Sequence, residues 1–271
     1  MTDSANKKEG PTIFNLDIEI PDSKFLLFDP SRDNKVVSSK RIKCPECSTS
    51  VKYFCYYCRK NVGAHADKVP QIDLPIPLDI IKHPHENDGK STGLHAKLLA
   101  PNSTTVLTYP IPLDQYLNPE KCLLLFPGPT AVPIGQILSA EPADAKETGF
   151  ERIVVIEGTW YQAHQMVRDT PALSKMKHIT FAHSYQTVFW RFQQTDPCHL
   201  ATIEAIYFVY REYLEAKPSE SYNIGSLLFY YNFFYQLIQD NYKSGQAKKD
   251  GRKFTSRHST NYIKDSDSPS H

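Results

Sequence analysis

The sequence predicts an α/β fold, a mostly parallel sheet with helices on both faces, preceded by a small zinc-ribbon-like module. Three observations carry that reading. From about residue 74, short apolar runs alternate with stretches of helical periodicity, the order that strand–helix–strand units produce. One run, Ile153-Val154-Val155-Ile156, is mostly β-branched and closes on Glu157-Gly158-Thr159-Trp160. A short continuous apolar run ended by glycine is what a strand buried on both faces looks like. Ahead of these segments, Cys44-Pro-Glu-Cys47 and Cys55-Tyr-Tyr-Cys58 stand only seven residues apart.

At 271 residues the chain can bury a substantial core as one domain plus a small appendage. Its net charge of +1 gives no global basic field, so any polyanion must be held by local patches. Met1 is followed by a polar, charged stretch without the apolar core of a signal peptide. No segment reaches the roughly 20 apolar residues of a membrane span, and Ile224 to Ile238 is interrupted by Asn232 and Gln236. These features predict an intracellular protein with no membrane partner, nuclear rather than cytoplasmic if the basic tail is an address.

Taken in order, residues 1–38 are polar and form a loosely ordered lead-in. Residues 39–66 hold the cysteine pairs. Each Cys-x-x-Cys turn can aim two sulfurs at one ion, and four thiolates select zinc at a closed, structural site. In a chain without an export signal this outranks disulfides, redox pairs or unrelated thiols for Cys44, Cys47, Cys55 and Cys58. Tyr53, Phe54, Tyr56 and Tyr57 are either the ribbon's apolar cover or a surface for stacking bases.

Residues 67–242 form the main domain. Strands are expected at Leu78–Lys82, Thr105–Tyr109, Cys122–Phe126, Ile153–Ile156, Ile179–Phe181 and Gln186–Trp190. A helix capped by Ser91 is expected to run from Leu94 to Ala100, stopped by Pro101. A short helix begins at Ile134, and another follows Trp160 with Ala163, Met166 and Val167 on one side. His199–Lys217 carries Leu200, Ile203, Ile206, Tyr207, Tyr210 and Leu214 at helical spacing, and a last helix covers about 223–242. Cys122, without a spaced partner, is a small core residue. Residues 243–271 are a basic tail, disordered by default, that can hold phosphates or serve as a nuclear address.

Four separated segments can share one rim of the sheet: His83 to Thr92, Phe126-Pro127-Gly128-Pro129, Glu157 to Trp160, and Leu200 to Ala205. Strand ends in open α/β sheets are where ligands bind. Singly each has a plain structural reading: Glu157 as a helix cap, Glu204 as a solvated charge.

Together they resemble the DTW-domain family, the tRNA-uridine aminocarboxypropyltransferases, and more closely its eukaryotic branch. The family motif Asp-x-Thr-Trp corresponds to Glu157-Gly158-Thr159-Trp160. The cysteine pairs, Lys90-Ser91-Thr92, Phe126 to Pro129 and Thr202-Ile-Glu204-Ala205 follow the family order, and Phe189-Trp190-Arg191 is similar to its aromatic–arginine strand. The resemblance spans about residues 40 to 240. It implies a SPOUT-like fold with a trefoil knot that binds S-adenosylmethionine. It also implies transfer of the 3-amino-3-carboxypropyl group to N3 of a D-loop uridine in tRNA, leaving 5′-methylthioadenosine. The alternatives are a non-catalytic tRNA-binding protein and a methyltransferase of the same superfamily.

On that reading Glu157 is the general base, with Thr159 and Trp160 in the catalytic group and Trp160 packing on cofactor or uridine. Phe126, Pro127, Gly128, Gly158, Arg191, Thr202 and Glu204 bind the cofactor, Arg191 through its carboxylate unless it pairs with a tRNA phosphate, and Glu204 at its amino end. The family acid is aspartate, and here it is Glu157. That change is either tolerated, or shifts the base to Asp169 or Glu204, or impairs the enzyme. Basic residues of the ribbon (Lys40, Arg41, Lys43, Lys52, Arg59, Lys60) and the tail are expected to hold tRNA, with binding that weakens steeply in salt.

Overall fold

The computed structural model describes residues 40–113, 118–139, 149–187, 189 and 199–243. The ribbon consists of two short antiparallel hairpins, β1 (Ile42–Lys43) with β2 (Ser50–Val51) and β3 (Phe54–Cys55) with β4 (Lys60–Asn61). The main domain contributes β5 (Leu78–Lys82), β6 (Thr104–Thr108), β7 (Cys122–Leu125), β8 (Val132–Pro133), β9 (Arg152–Glu157) and β10 (Lys177–Thr180). These six pair in the order β6-β5-β9-β7-β10-β8, and every pairing is parallel.

Helices cover both faces. Side chains alternate along a strand, so β5, β7 and β9 feed two cores. Leu78, Ile80, Leu123, Ile153 and Val155 join α1 (Leu94–Leu99), α2 (Ile134–Ser139) and α5 (Thr202–Ala216) on one side. Ile81, Cys122, Leu124 and Val154 meet α3 (Trp160–Asp169) and α4 (Pro171–Lys175) on the other. A strand serving two cores has no polar face to offer, hence the continuous apolar run at 153–156. Cys122 is buried in the second core, as its isolation in the sequence implied.

The described residues end in a 3₁₀ segment (Ile224–Leu228) that passes into α6 (Phe229–Lys243). The expected single helix from 223 is therefore broken: all five residues of the 3₁₀ segment are buried, Gly225 and Ser226 are weak helix formers, and the tighter turn fits that packing. Other boundaries differ too. Ser91 does not cap α1; the cap position is Gly93, with no side-chain bond, because Ser91 is buried against Glu157. The helix expected from His199 starts at Thr202. Gln186 and Thr187 lie in no strand, since the Thr187 hydroxyl donates to Glu204 at 2.6 Å and accepts from the Phe189 amide at 3.0 Å. Val188, Trp190 and Arg191 are outside the described residues, and so is part of the chain path on which the implied knot depends. Helix α4 and strand β8 carried too little periodicity to be anticipated.

The ribbon is fastened to the main domain rather than hung from it. Tyr53 and Phe54 pack edge-on against Phe233, Phe234 and Tyr230 of α6 at centroid distances of 4.9 to 6.2 Å. Tyr230 Oη donates to Asn61 Oδ1 at 2.7 Å, Asn61 Nδ2 donates to the Leu98 carbonyl at 3.0 Å, and Arg59 donates to the Val106 carbonyl at 2.8 Å. Two of the four ribbon aromatics are thus mortar between modules. Among the described residues no helix is long and apolar enough to cross a membrane.

Because both faces are covered, truncation on either side of one strand should cost about the same. Ile80→Ala and Ile81→Ala are each expected to lose about 2–5 kcal/mol in denaturant unfolding. Near-neutrality of one of the pair would mean that its face is not packed.

Candidate active site and metal centre

Parallel strands end together, so the turns after β5, β7, β9 and β10 gather on one rim. A cleft of about 250 Å³ opens there, lined by Phe126 and Pro127 after β7, Gly158 and Trp160 after β9, Phe181 after β10, and Leu200 and Thr202 at the start of α5. Three of the four segments singled out in the sequence line it. The fourth, beginning at His83, borders it: the His83 amide donates to the Glu157 carbonyl at 2.8 Å. A β-carbon on Gly158 would come within 3.2 Å of His83 Cβ and 3.1 Å of Gln162 Oε1, so this close approach is one that only glycine makes without displacement.

Thr159 is the helix cap of this turn. Its hydroxyl accepts from the Gln162 amide at 3.3 Å while the Gln162 side chain accepts from the Thr159 amide at 2.8 Å, a capping box that sets where α3 begins. Trp160 then stands at the first helical position, 41% exposed, a large apolar surface left open at the cleft mouth. Its ring meets His199 edge-on at 5.1 Å and leans toward Phe126 and His164 at 6.3 and 6.2 Å.

Glu157 is not in the cleft but behind it. Only 4% exposed, it reaches toward Ser91, Gly93 and Thr202, and its Oε2 has no hydrogen-bond partner among the described residues. Burial pushes its pKa above the ordinary glutamate range; the Thr202 and Ser91 hydroxyls and the Gly93 amide pull the other way. A β-carbon on Gly93 would sit 2.7 Å from Oε2, so the chain has room for this acid only because residue 93 is glycine. Thr202 belongs to both environments, lining the cleft and touching the carboxylate.

Glu204, the possible solvated charge, is wholly buried. Its Oε2 accepts from the Ala201 amide at 2.7 Å and Thr187 Oγ1 at 2.6 Å, and its Oε1 from Tyr231 Oη at 2.7 Å. It caps α5 and ties three chain segments together. Glu212, two turns on, receives the Ala182 amide at 2.9 Å and Tyr185 Oη at 3.0 Å, fixing the turn that presents Phe181. Asp169 lies at the far end of α3, ion-paired with Arg168 at 2.8 Å. Gly128 is in an exposed turn, where a β-carbon would meet His178 Nδ1 at 3.9 Å, and it does not line the cleft. Arg191 lies outside the described residues. Phe181 and Gly93 were not singled out in the sequence. Phe181 follows β10 as Phe126 follows β7, a signal that was there to use; nothing local marks Gly93, whose constraint comes from residue 157.

In the ribbon, the sulfurs of Cys44, Cys47, Cys55 and Cys58 all lie within 4.8 Å of one another, with Cys44–Cys58 at 3.8 Å and Cys47–Cys55 at 3.5 Å. Four sulfurs about 2.3 Å from one tetrahedral ion would be separated by about 3.8 Å, so the donor set fits zinc. Ser48 and Arg59, each directly after the second cysteine of a pair, take left-handed backbone (φ 57° and 55°). Such conformations cost about 1–2 kcal/mol per residue unless the surroundings impose them, and the repeat at equivalent positions marks two matched knuckles. Cysteines 44, 47, 55 and 58 can thus hold a metal ion.

Comparison with known proteins follows the same outline. The DTW domain family model matches residues 52–239. The chain is 34% identical to the mouse protein named tRNA-uridine aminocarboxypropyltransferase 1 (79% of this chain, 83% of the mouse protein). It is 33% identical to the Xenopus laevis protein of that name (75% and 82%) and 32% identical to the human one (79% and 82%). No solved structure matches the chain.

The contact between residues 93 and 157 has a measurable signature. Gly93 already has helical backbone (φ −59°, ψ −32°), so Gly93→Ala carries no conformational penalty and any loss is steric. It should destabilise by about 1–3 kcal/mol, and Glu157→Asp should relieve part of that, giving a coupling of about 0.5–3 kcal/mol in a double-mutant cycle. Additive effects would place the carboxylate elsewhere. In the ribbon, Cys55→Ser should abolish stoichiometric zinc, measured by metal analysis of purified protein, and lower the melting temperature.

Proposed function

Because the chain belongs to the DTW-domain family, we propose that it is a tRNA-uridine aminocarboxypropyltransferase. It moves the 3-amino-3-carboxypropyl group of S-adenosylmethionine to N3 of a D-loop uridine in tRNA and releases 5′-methylthioadenosine. The observation that carries this reading is the cleft itself: residues from Phe126-Pro127, Gly158-Thr159-Trp160 and the Thr202 segment line or border one apolar opening at the strand ends. The ribbon cysteines hold a structural zinc on the same reading.

Sulfonium makes all three attached carbons electrophilic, so the enzyme selects among them by position. The uridine N3 proton leaves, N3 bonds to the methylene of the aminocarboxypropyl group, and the broken carbon–sulfur bond returns its electron pair to sulfur. Phe126, Phe181 and Leu200 suit the adenine and thioether portions, and the exposed Trp160 face suits a base turned out of the RNA stack. Glu157 takes the proton. Its burial supports a base with a raised pKa, and its place behind Thr202 routes the proton across the threonine hydroxyl. Asp169 lies away from the cleft and Glu204 is already bonded to three protein donors, so neither fits the role better.

Incubation with S-adenosylmethionine and unmodified tRNA should release methylthioadenosine; S-adenosylhomocysteine instead would mean methyl transfer, and no product a binding protein. Glu157→Gln should lower turnover by about 10²–10⁴-fold, and near-normal turnover would remove Glu157 from the mechanism. The pH dependence has a sign. The raised folded pKa favours the neutral acid in the fold, so that contribution is full below the ordinary glutamate value of about 4.3 and fades as pH rises through the folded value. Relative to Glu157→Gln, the wild type should therefore lose stability as pH rises from 4 toward neutrality, while its kcat/KM rises over the same limb.

A further inference from the structure

The reaction cleft accounts for one nucleotide, yet a tRNA is far larger. The second cysteine knuckle carries a side chain that neither the metal nor the packing of the ribbon uses. Tyr57, between Cys55 and Cys58, is 59% exposed, although Tyr53 and Phe54 of the same module are consumed in docking onto α6. Tyr56 braces it, with ring centroids 4.6 Å apart. The Tyr56 ring reaches Gly89, at about 4.0 Å from where a β-carbon there would be. Gly89 belongs to the loop after β5, whose His83 abuts Gly158 at the cleft. Knuckle, loop and cleft mouth thus form one continuous rim.

Charge points the same way. The ribbon from 40 to 60 has basic residues at Lys40, Arg41, Lys43, Lys52, Arg59 and Lys60 against Glu46 alone. Arg59 is turned onto the Val106 carbonyl and Lys60 pairs with Glu46, which leaves Lys40, Arg41, Lys43 and Lys52 without an acidic partner within the ribbon. Asp88, which acts electrostatically on Tyr57, is held by the buried Lys82 at 3.1 Å. An exposed aromatic ring on the same small module as several cations without acidic partners is the combination that grips nucleotides, the ring stacking on a base and the cations meeting phosphates.

We propose that the second knuckle is a docking surface for the RNA substrate, in which Tyr57 stacks on an unpaired base of the tRNA while Lys43 and Lys52 contact its backbone. The proposal rests on the tRNA reading above and names a part of the protein for it that lies outside the reaction cleft. Ordering of the knuckle by its ion means that little conformational freedom is lost when the base docks.

Steady-state release of methylthioadenosine by the full chain, with tRNA and S-adenosylmethionine varied separately, tests it. Tyr57→Ala should raise KM for tRNA by about tenfold, leave KM for S-adenosylmethionine unchanged, and keep its zinc and melting temperature; Tyr57→Trp should restore binding. Lys43→Ala with Lys52→Ala should lower the slope of log affinity against log salt by about 2. An unchanged KM for tRNA in Tyr57→Ala overturns the proposal, as does an equal rise in both KM values. Fluorescence anisotropy with labelled tRNA separates the two readings. If wild type releases no methylthioadenosine yet binds tRNA in a Tyr57-dependent way, the docking surface stands and the transfer reading falls. Failure of the wild type to bind tRNA overturns both. Should Tyr57→Ala lose its metal, Tyr57→Leu replaces it, since a branched aliphatic keeps the bulk and removes the stacking face.

Discussion

Two carboxylates on one helix hold the site together. Glu204, at the start of α5, has no exposed surface and accepts three hydrogen bonds from three separate stretches of chain, at Thr187, Ala201 and Tyr231. Glu212, further along the same helix, gathers the Ala182 amide and the Tyr185 hydroxyl, whose ring lies flat on Phe208 at 3.7 Å. Isolated buried charges are prohibitively expensive, and these persist because each is answered by several donors. In return, the turn after β10 is fixed at Ala182, next to Phe181 on the wall of the cleft.

The buried acids of the site differ in how fully they are bonded. Glu204 and Glu212 are held by several donors, whereas the Oε2 of Glu157 has no hydrogen-bond partner among the described residues. Its position behind Thr202 explains why a longer acid can stand where the family uses aspartate. The carboxylate does not enter the cleft. It extends along the inner side of the turn, into the space that the missing side chain of Gly93 leaves. The capping duty of the same turn falls to Thr159 and Gln162, which frees the acid from it.

Much of this was legible beforehand. The run at 153–156 and the pairs at 44/47 and 55/58 translated into the structure, because burial on two faces and ligand spacing leave marks that neighbours in sequence share. What stayed hidden depends on distant partners. Nothing near Glu204 announces that Thr187 and Tyr231 will satisfy it, so a solvated charge was the natural local reading. Gly93 resembles any loop glycine until residue 157 is placed beside it. Residues 186 and 187 look strand-like, yet the Thr187 hydroxyl takes up the local bonding. The helical spacing of apolar residues over 224–238 concealed a change of helix type, since periodicity registers which residues are buried and not how tightly the backbone winds.

The bond from Tyr230 to Asn61 spans 169 positions and joins the first folded module to the last helix. During synthesis, which proceeds N-terminus first at about 5–20 residues per second, the ribbon emerges early and can close its two knuckles with local contacts alone. Its seat on α6 exists only once the whole sheet has been made. For many seconds the nascent ribbon must therefore carry Tyr53 and Phe54 uncovered, and closure of the finished molecule is a long-range event of the kind that slows folding.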